Sequence, residues 1–130
     1  MRKFKFAKLV RDKIVEQIQK AGNNPVFKKL NDEEYISELK KKLLEESKEL
    51  VKENDKEELV KEIADCYEVL DTLACALSLS DEEMKMIRDQ KKEQVGLFED
   101  RLYVDYVETD DDSEWIDYYL QRPEKYPEIE

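Results

Sequence analysis

The chain has 130 residues, of which 44% are charged and 40% hydrophobic, and its formal net charge is −11. This length suits one domain, and the negative charge argues against an electrostatic grip on the backbone of duplex nucleic acid. With two glycines and three prolines, the chain is poor in turn residues, which favours an all-α fold over sheets.

The first part of the chain predicts two helices. Apolar spacing indicates a helix over about residues 8–21, which Gly22 would end. Val26–Phe27 could form a short extended piece. Asn31 then opens a second helix that we expect to reach residue 52 or 53, with Glu34 placed to complete a capping box.

The same capping pattern occurs twice more. Asp55 with Glu58 predicts a third helix that ends near residue 78, and Ser80 with Glu83 predicts a fourth that ends near Gly96. Since the link between the second and third helices is short, these helices should form an antiparallel hairpin.

The C-terminal part is acidic and aromatic. Residues 101–107 alternate as a short extended segment would, and residues 113–120 predict a short helix. Trp115, Tyr118 and Tyr119 share one face of that helix. We expect them to dock the extension onto the body or a partner subunit; stacking on a nucleobase is the alternative.

The cysteines and the hydropathy indicate a cytoplasmic protein. Cys66 and Cys75 are nine residues apart on one predicted helix, so they face opposite sides and cannot bridge each other. We expect both to be small core residues in a reducing compartment. No apolar run approaches the roughly 18 residues that a membrane span needs.

Each helix of the predicted hairpin has a stripe of apolar residues that is interrupted by one acid. The stripes are Ile36, Leu39, Leu43 and Leu50 on one helix and Leu59, Cys66, Val69 and Leu73 on the other. Glu46 and Glu62 fill the gaps, and Glu49 and Asp65 follow three residues later on the same faces. Hairpin geometry brings these four carboxylates to similar heights. Uncompensated carboxylates at core positions are costly, so the pattern predicts a divalent metal site.

The donor types indicate which metal this site would bind. Hard cations such as Mg²⁺ prefer oxygen ligands, and Mn²⁺ is also possible. Zn²⁺ is a poor match because the chain has no histidine and no usable cysteine pair. Glu45 adjoins the cluster but points about 100° away from Glu46, as a helper residue would.

The motif Glu45-Glu46-x-x-Glu49 followed by Glu62-x-x-Asp65 resembles the signature of the all-α nucleoside triphosphate pyrophosphohydrolases, the MazG-like superfamily. Residues 8–14 (KLVRDKI) and 91–98 (KKEQVGLF) resemble the start and the basic, glycine-containing end of its phosphoribosyl-ATP pyrophosphohydrolase-like branch. The match covers about residues 5–107, which would be the enzyme domain, and residues 108–130 would be an extension outside it. The branch carries Arg-Gly-Gly-Phe where this chain has Val95-Gly96-Leu97-Phe98.

The resemblance implies hydrolysis of a nucleoside triphosphate or related nucleotide between the α and β phosphates, giving the monophosphate and pyrophosphate. It implies Mg²⁺ held by residues matching Glu46, Glu49, Glu62 and Asp65. It also implies a four-helix-bundle-like domain of antiparallel hairpins, completed by association into a dimer or tetramer.

Chemistry adds roles for further residues. Glu45 or Glu49 would orient or deprotonate the attacking water. Bases near both ends of the domain are candidate phosphate contacts, with ordinary solvated bases as the alternative for each. These candidates are Lys8, Arg11, Lys13, Lys91, Lys92 and Arg101.

Two non-enzymatic hypotheses stay open at this point. The chain could be a helical interaction module that binds a structural cation such as Ca²⁺, although it lacks the spacing of an EF-hand loop. It could instead be an acidic mimic that occupies a basic surface, but then its acids should point outward and not interrupt core stripes.

Overall fold

The computed structural model describes all residues from 1 to 130, and all of its regular secondary structure is helical, which confirms the all-α prediction. Five helices follow in chain order, and no strand forms. They are α1 (Asp12–Lys20), α2 (Asp32–Lys52), α3 (Lys56–Ala76), α4 (Asp81–Val95) and α5 (Trp115–Leu120).

The predicted capping boxes begin α2 and α4. The Asn31 side chain accepts a hydrogen bond from the Glu34 backbone N–H at 2.8 Å, and the Glu34 carboxylate accepts one from the Asn31 N–H. Ser80 and Glu83 make the same reciprocal pair, with Ser80 Oγ accepting from the Glu83 N–H at 3.1 Å. These local signals fix both starts because each satisfies two otherwise unpaired backbone donors.

The start of α3 differs slightly from the prediction. Asp55 does cap the helix, accepting from the Glu58 N–H at 3.1 Å. Its own backbone N–H, however, donates to the Glu53 carboxylate at 3.0 Å and not to Glu58. The link between α2 and α3 is therefore the three residues 53–55, stiffened by Glu53, and it produces the expected hairpin.

The prediction for α1 was too long at its start. The helix begins at Asp12, and residues 1–11 have no regular secondary structure. Ala7 has a positive φ of 46°, and Arg11 has an extended backbone with ψ of 150°, so neither continues a helix. We call residues 1–11 the N-terminal arm.

Only the α2–α3 hairpin is an extensively packed pair of helices in this chain. Its centre is small, since Leu39 and Val69, at 2% and 8% exposure, are the only buried apolar residues. The third buried residue is Glu46, also at 8%. The rest of the two predicted stripes is half-buried.

The cysteines are unbridged, as predicted, but only one contributes to the interior. Cys66 is half-buried in the hairpin, whereas Cys75 is exposed, so the expectation that both fill the core was wrong. Nine helical positions amount to about two and a half turns, and a helix with Cys66 inward must turn Cys75 outward.

The chain divides into two compact units, residues 1–91 and 92–130. In the second unit the alternation of residues 101–107 forms no strand, because an extended segment without a paired neighbour has no ladder of hydrogen bonds. The short helix predicted over 113–120 is present as α5. The boundary at residue 107 stays a prediction. No helix here has the length and apolarity to cross a bilayer.

Candidate metal centre

Three carboxylates converge between α2 and α3. One oxygen each from Glu46, Glu49 and Glu62 lies within 4.8 Å of the others. Glu46 and Glu62 occupy the stripe positions that face the partner helix, and Glu49 lies one turn after Glu46 at the exposed edge. We call these three residues the acid cluster. Three of the four predicted ligands therefore come together.

The acid cluster contains buried oxygens without a partner. Glu46 Oε2 and Glu62 Oε2 are both enclosed and accept no hydrogen bond. A buried carboxylate oxygen without a donor is costly, and native interiors rarely tolerate one without a compensating water or ion. The two oxygens mark a place where an additional positive group would be stabilising.

The charges of the acid cluster also favour a bound cation. Burial raises the pKa of Glu46, and the neighbouring Glu49 carboxylate raises it further. The pKa of Glu62 is likewise raised by burial and then by Glu49. The acids therefore resist being ionised together, which a divalent cation between them would reverse.

Lys42 is a site residue that the sequence interpretation missed. Its Nζ lies 3.3 Å from Glu45 Oε2 and 3.6 Å from Glu46 Oε1, and only 18% of its side chain is exposed. The spacings i,i+3 and i,i+4 on α2 were a sufficient signal for this contact. Lys42 supplies one positive charge to Glu46 but leaves its second oxygen unpartnered.

The two outer acids are paired with the N-terminal arm. Lys8 Nζ lies 3.2 Å from Glu45 Oε1, and Arg11 Nη2 lies 2.8 Å from Asp65 Oδ1. Partial burial alone would raise the pKa of Glu45, but Lys8 and Lys42 outweigh it and hold this pKa below its usual value. Asp65, the fourth predicted ligand, is thus engaged by a cation of the chain, and its role as a metal ligand stays a prediction.

The predicted phosphate contacts fall in different places. Lys8 and Arg11 reach the two outer acids, whereas Lys13 lies on α1 and makes no ion pair. Lys91 and Lys92 occupy exposed positions on α4, and Arg101 lies in the second unit with a positive φ of 60°. Their role as phosphate contacts stays a prediction.

A shallow groove adjoins the acid cluster along the outer face of α2. The sequence interpretation missed its lysines, although their spacing of 7 and then 4 positions places them on one helix face. The groove is lined by Lys41, Leu44, Glu45, Lys48, Glu49 and Lys52. Because Glu49 belongs to both, the groove puts exposed cations beside the acid cluster.

No family model, curated protein or solved structure matches the chain. The chemistry of the site therefore has to be inferred from the donors themselves. All of them are carboxylates, two have buried unpartnered oxygens, and histidine is absent. Oxygen donors of this kind are the ligands that hard divalent cations prefer, and Mg²⁺ or Mn²⁺ as the bound ion stays a prediction.

Proposed function

We propose that the chain is a divalent-cation-dependent nucleotide pyrophosphohydrolase. It would cleave a nucleoside triphosphate or related nucleotide between the α and β phosphates. The observation that carries the proposal is the convergence of three carboxylates on facing helices, with two buried oxygens unpartnered. The motif resemblance to the MazG-like pyrophosphohydrolases supplies the reaction.

Glu46, Glu49 and Glu62 would hold Mg²⁺ or Mn²⁺, with Asp65 as a fourth ligand. A cation held there would neutralise charge on phosphate oxygens. Without it, the acid cluster would repel the substrate, since all of the groups concerned are anionic. The need for a cation agrees with the positions of Glu46 and Glu62, each of which has an enclosed oxygen between the two helices.

The attacking water would be oriented by Glu45 or Glu49. The lysines around Glu45 lower its pKa, so Glu45 is an ionised hydrogen-bond acceptor at neutral pH. Glu49 is the most exposed member of the acid cluster. Of the predicted phosphate contacts, Lys8 and Arg11 are the two that pair with acids next to the acid cluster, and they would contact the phosphates.

The hairpin would function as an assembly of two or four copies. Val60, Ile63, Tyr67 and Leu70 follow one another at helical spacing on α3 and are all exposed, from 40% to 62%. This second apolar stripe lies beside the one that faces α2. Exposed apolar surface of this kind marks interaction sites, and a second hairpin would complete the four-helix arrangement.

The test is pyrophosphate release from a panel of nucleoside triphosphates in the presence of Mg²⁺. We expect release from at least one of them, lowered more than about 100-fold by Glu62→Gln because a ligand is lost. Glu57→Gln, which removes an exposed charge from the same helix, is the matched control and should retain full activity.

Three results would contradict the proposal. No release from any nucleotide, with folded protein and Mg²⁺ present, would reject the enzyme. Stabilisation by Mg²⁺ without turnover would favour the non-enzymatic module with a structural cation. If the Glu62→Gln and Glu57→Gln variants were equally active, the acid cluster would not be required for hydrolysis.

A further inference from the structure

The N-terminal arm is attached to both helices of the hairpin through ion pairs at the edge of the acid cluster. Lys8 reaches Glu45 on α2, and Arg11 reaches Asp65 on α3. These contacts join residues 37 and 54 positions apart in sequence. The arm has no helix or strand of its own that would hold it there.

The Arg11 pair involves the one predicted ligand that lies outside the acid cluster. Asp65 follows Glu62 by three residues and shares its helix face. Its Oδ1 accepts from Arg11 at 2.8 Å, which occupies one of the two carboxylate oxygens and pairs Asp65 with the arm and not with the acid cluster. Glu46, in contrast, is buried at 8% exposure, and its Oε2 has no hydrogen-bond partner.

We propose that Arg11 is an exchangeable counter-ion that withholds Asp65 from the cation until a phosphate group takes over the guanidinium. The inference rests on the proposed function, because it requires both a cation in the acid cluster and a phosphate-bearing ligand. Transfer of Arg11 to the phosphate frees Asp65 to become the fourth ligand. Cation and phosphate therefore strengthen each other's binding.

The physical properties of the pair suit such an exchange. The side chains of Arg11 and Asp65 are 61% and 42% exposed, so the pair is solvated and weak enough to separate readily. A guanidinium also binds phosphate oxygens in a bidentate fork, so the phosphate is a suitable new partner. The ammonium group of a lysine carries the same charge but cannot form this two-pronged contact.

The test measures Mn²⁺ affinity by electron paramagnetic resonance, first with no nucleotide present. Arg11→Gln should bind Mn²⁺ roughly fivefold more tightly than the unaltered protein, since Asp65 is released. Lys5→Gln is the matched control, because Lys5 carries an equal charge on the same arm, is exposed and makes no ion pair, and this variant should change affinity less than about twofold. In an Asp65→Asn background, Arg11→Gln should have no more effect than Lys5→Gln.

A second arm of the test adds a saturating nucleoside monophosphate, the product class. It should tighten Mn²⁺ binding to the unaltered protein and to Lys5→Gln by more than it tightens binding to Arg11→Gln, in which Asp65 is already free. Equal tightening in all three proteins would overturn the exchange.

The remaining outcomes separate the two proposals. If the unaltered protein binds Mn²⁺ and Arg11→Gln binds it no more tightly than Lys5→Gln, the exchange is wrong while the metal site stands. If no protein binds Mn²⁺, the metal site and the exchange both fail.

Discussion

Two clusters of interacting side chains, one in each unit, differ in how completely their groups are satisfied. The aromatic cluster of the second unit contains Trp115, Tyr118, Tyr119 and Tyr126. Trp115 and Tyr118 meet edge to face at 5.4 Å, and Tyr119 and Tyr126 do so at 5.2 Å. Arg122 lies 3.9 Å over the Tyr118 ring and donates to the Tyr118 carbonyl.

The acid cluster of the first unit has the opposite character. Its carboxylates repel one another, and Glu46 and Glu62 each contain a buried oxygen without a partner. The aromatic groups have contacts with one another, whereas the buried oxygens of the acid cluster would be stabilised by an added cation. This difference supports the proposal that function lies in the hairpin.

The larger change in the free energy of unfolding is expected from the acid cluster, when the pH changes. Since the pKa values of Glu46 and Glu62 are raised in the folded chain, the folded state binds more protons than the unfolded state in the window just above the usual glutamate range. Metal-free protein should therefore lose stability as pH rises above the ordinary glutamate pKa of 4.5 and the two carboxyl groups ionise. Denaturant unfolding at several pH values measures this slope.

The double substitution Glu46→Gln and Glu62→Gln should flatten the slope, and Glu57→Gln should leave it unchanged. Glu45 has the opposite sign, because its pKa is lowered, and its contribution is lost only as pH falls below the usual glutamate range. A slope that is equally steep in the double variant would show that the acid cluster is not its source.

The smaller change in stability is expected from a substitution in the aromatic cluster. Trp115→Ala removes ring contacts that are worth about 1 kcal/mol each, and the loss should be confined to the cluster itself. Faster amide exchange over residues 113–126 would detect it. Mn²⁺ affinity should be unaffected, and a weakened affinity in this variant would contradict the assignment of function to the hairpin alone.

The sequence was sufficient where the signals are local. The starts of α2 and α4 followed from capping boxes, and the inward position of Glu46 followed from the stripe of apolar residues around it. Lys42 could equally have been predicted from its spacing to Glu45 and Glu46, but the apolar stripes drew attention only to the acids that interrupt them.

Other features depended on contacts that no local pattern encodes. The Arg11–Asp65 pair spans 54 positions and forms only because the chain before α1 is extended, where apolar spacing had predicted a helix. The unpaired state of residues 101–107 has a similar cause, since alternation predicts a strand but cannot supply a partner. The exposure of Cys75 followed from simple helix geometry that had been applied only to exclude a disulfide.

Titration of the protein with Mn²⁺ at neutral pH tests most directly whether the acid cluster holds a divalent cation. We predict saturable binding that Glu46→Gln, Glu49→Gln and Glu62→Gln each weaken by more than about tenfold, while Glu57→Gln leaves it unchanged. Binding that does not saturate, or that all four substitutions weaken equally, would mean that Mn²⁺ associates with the general negative charge of the chain. That result would contradict the account.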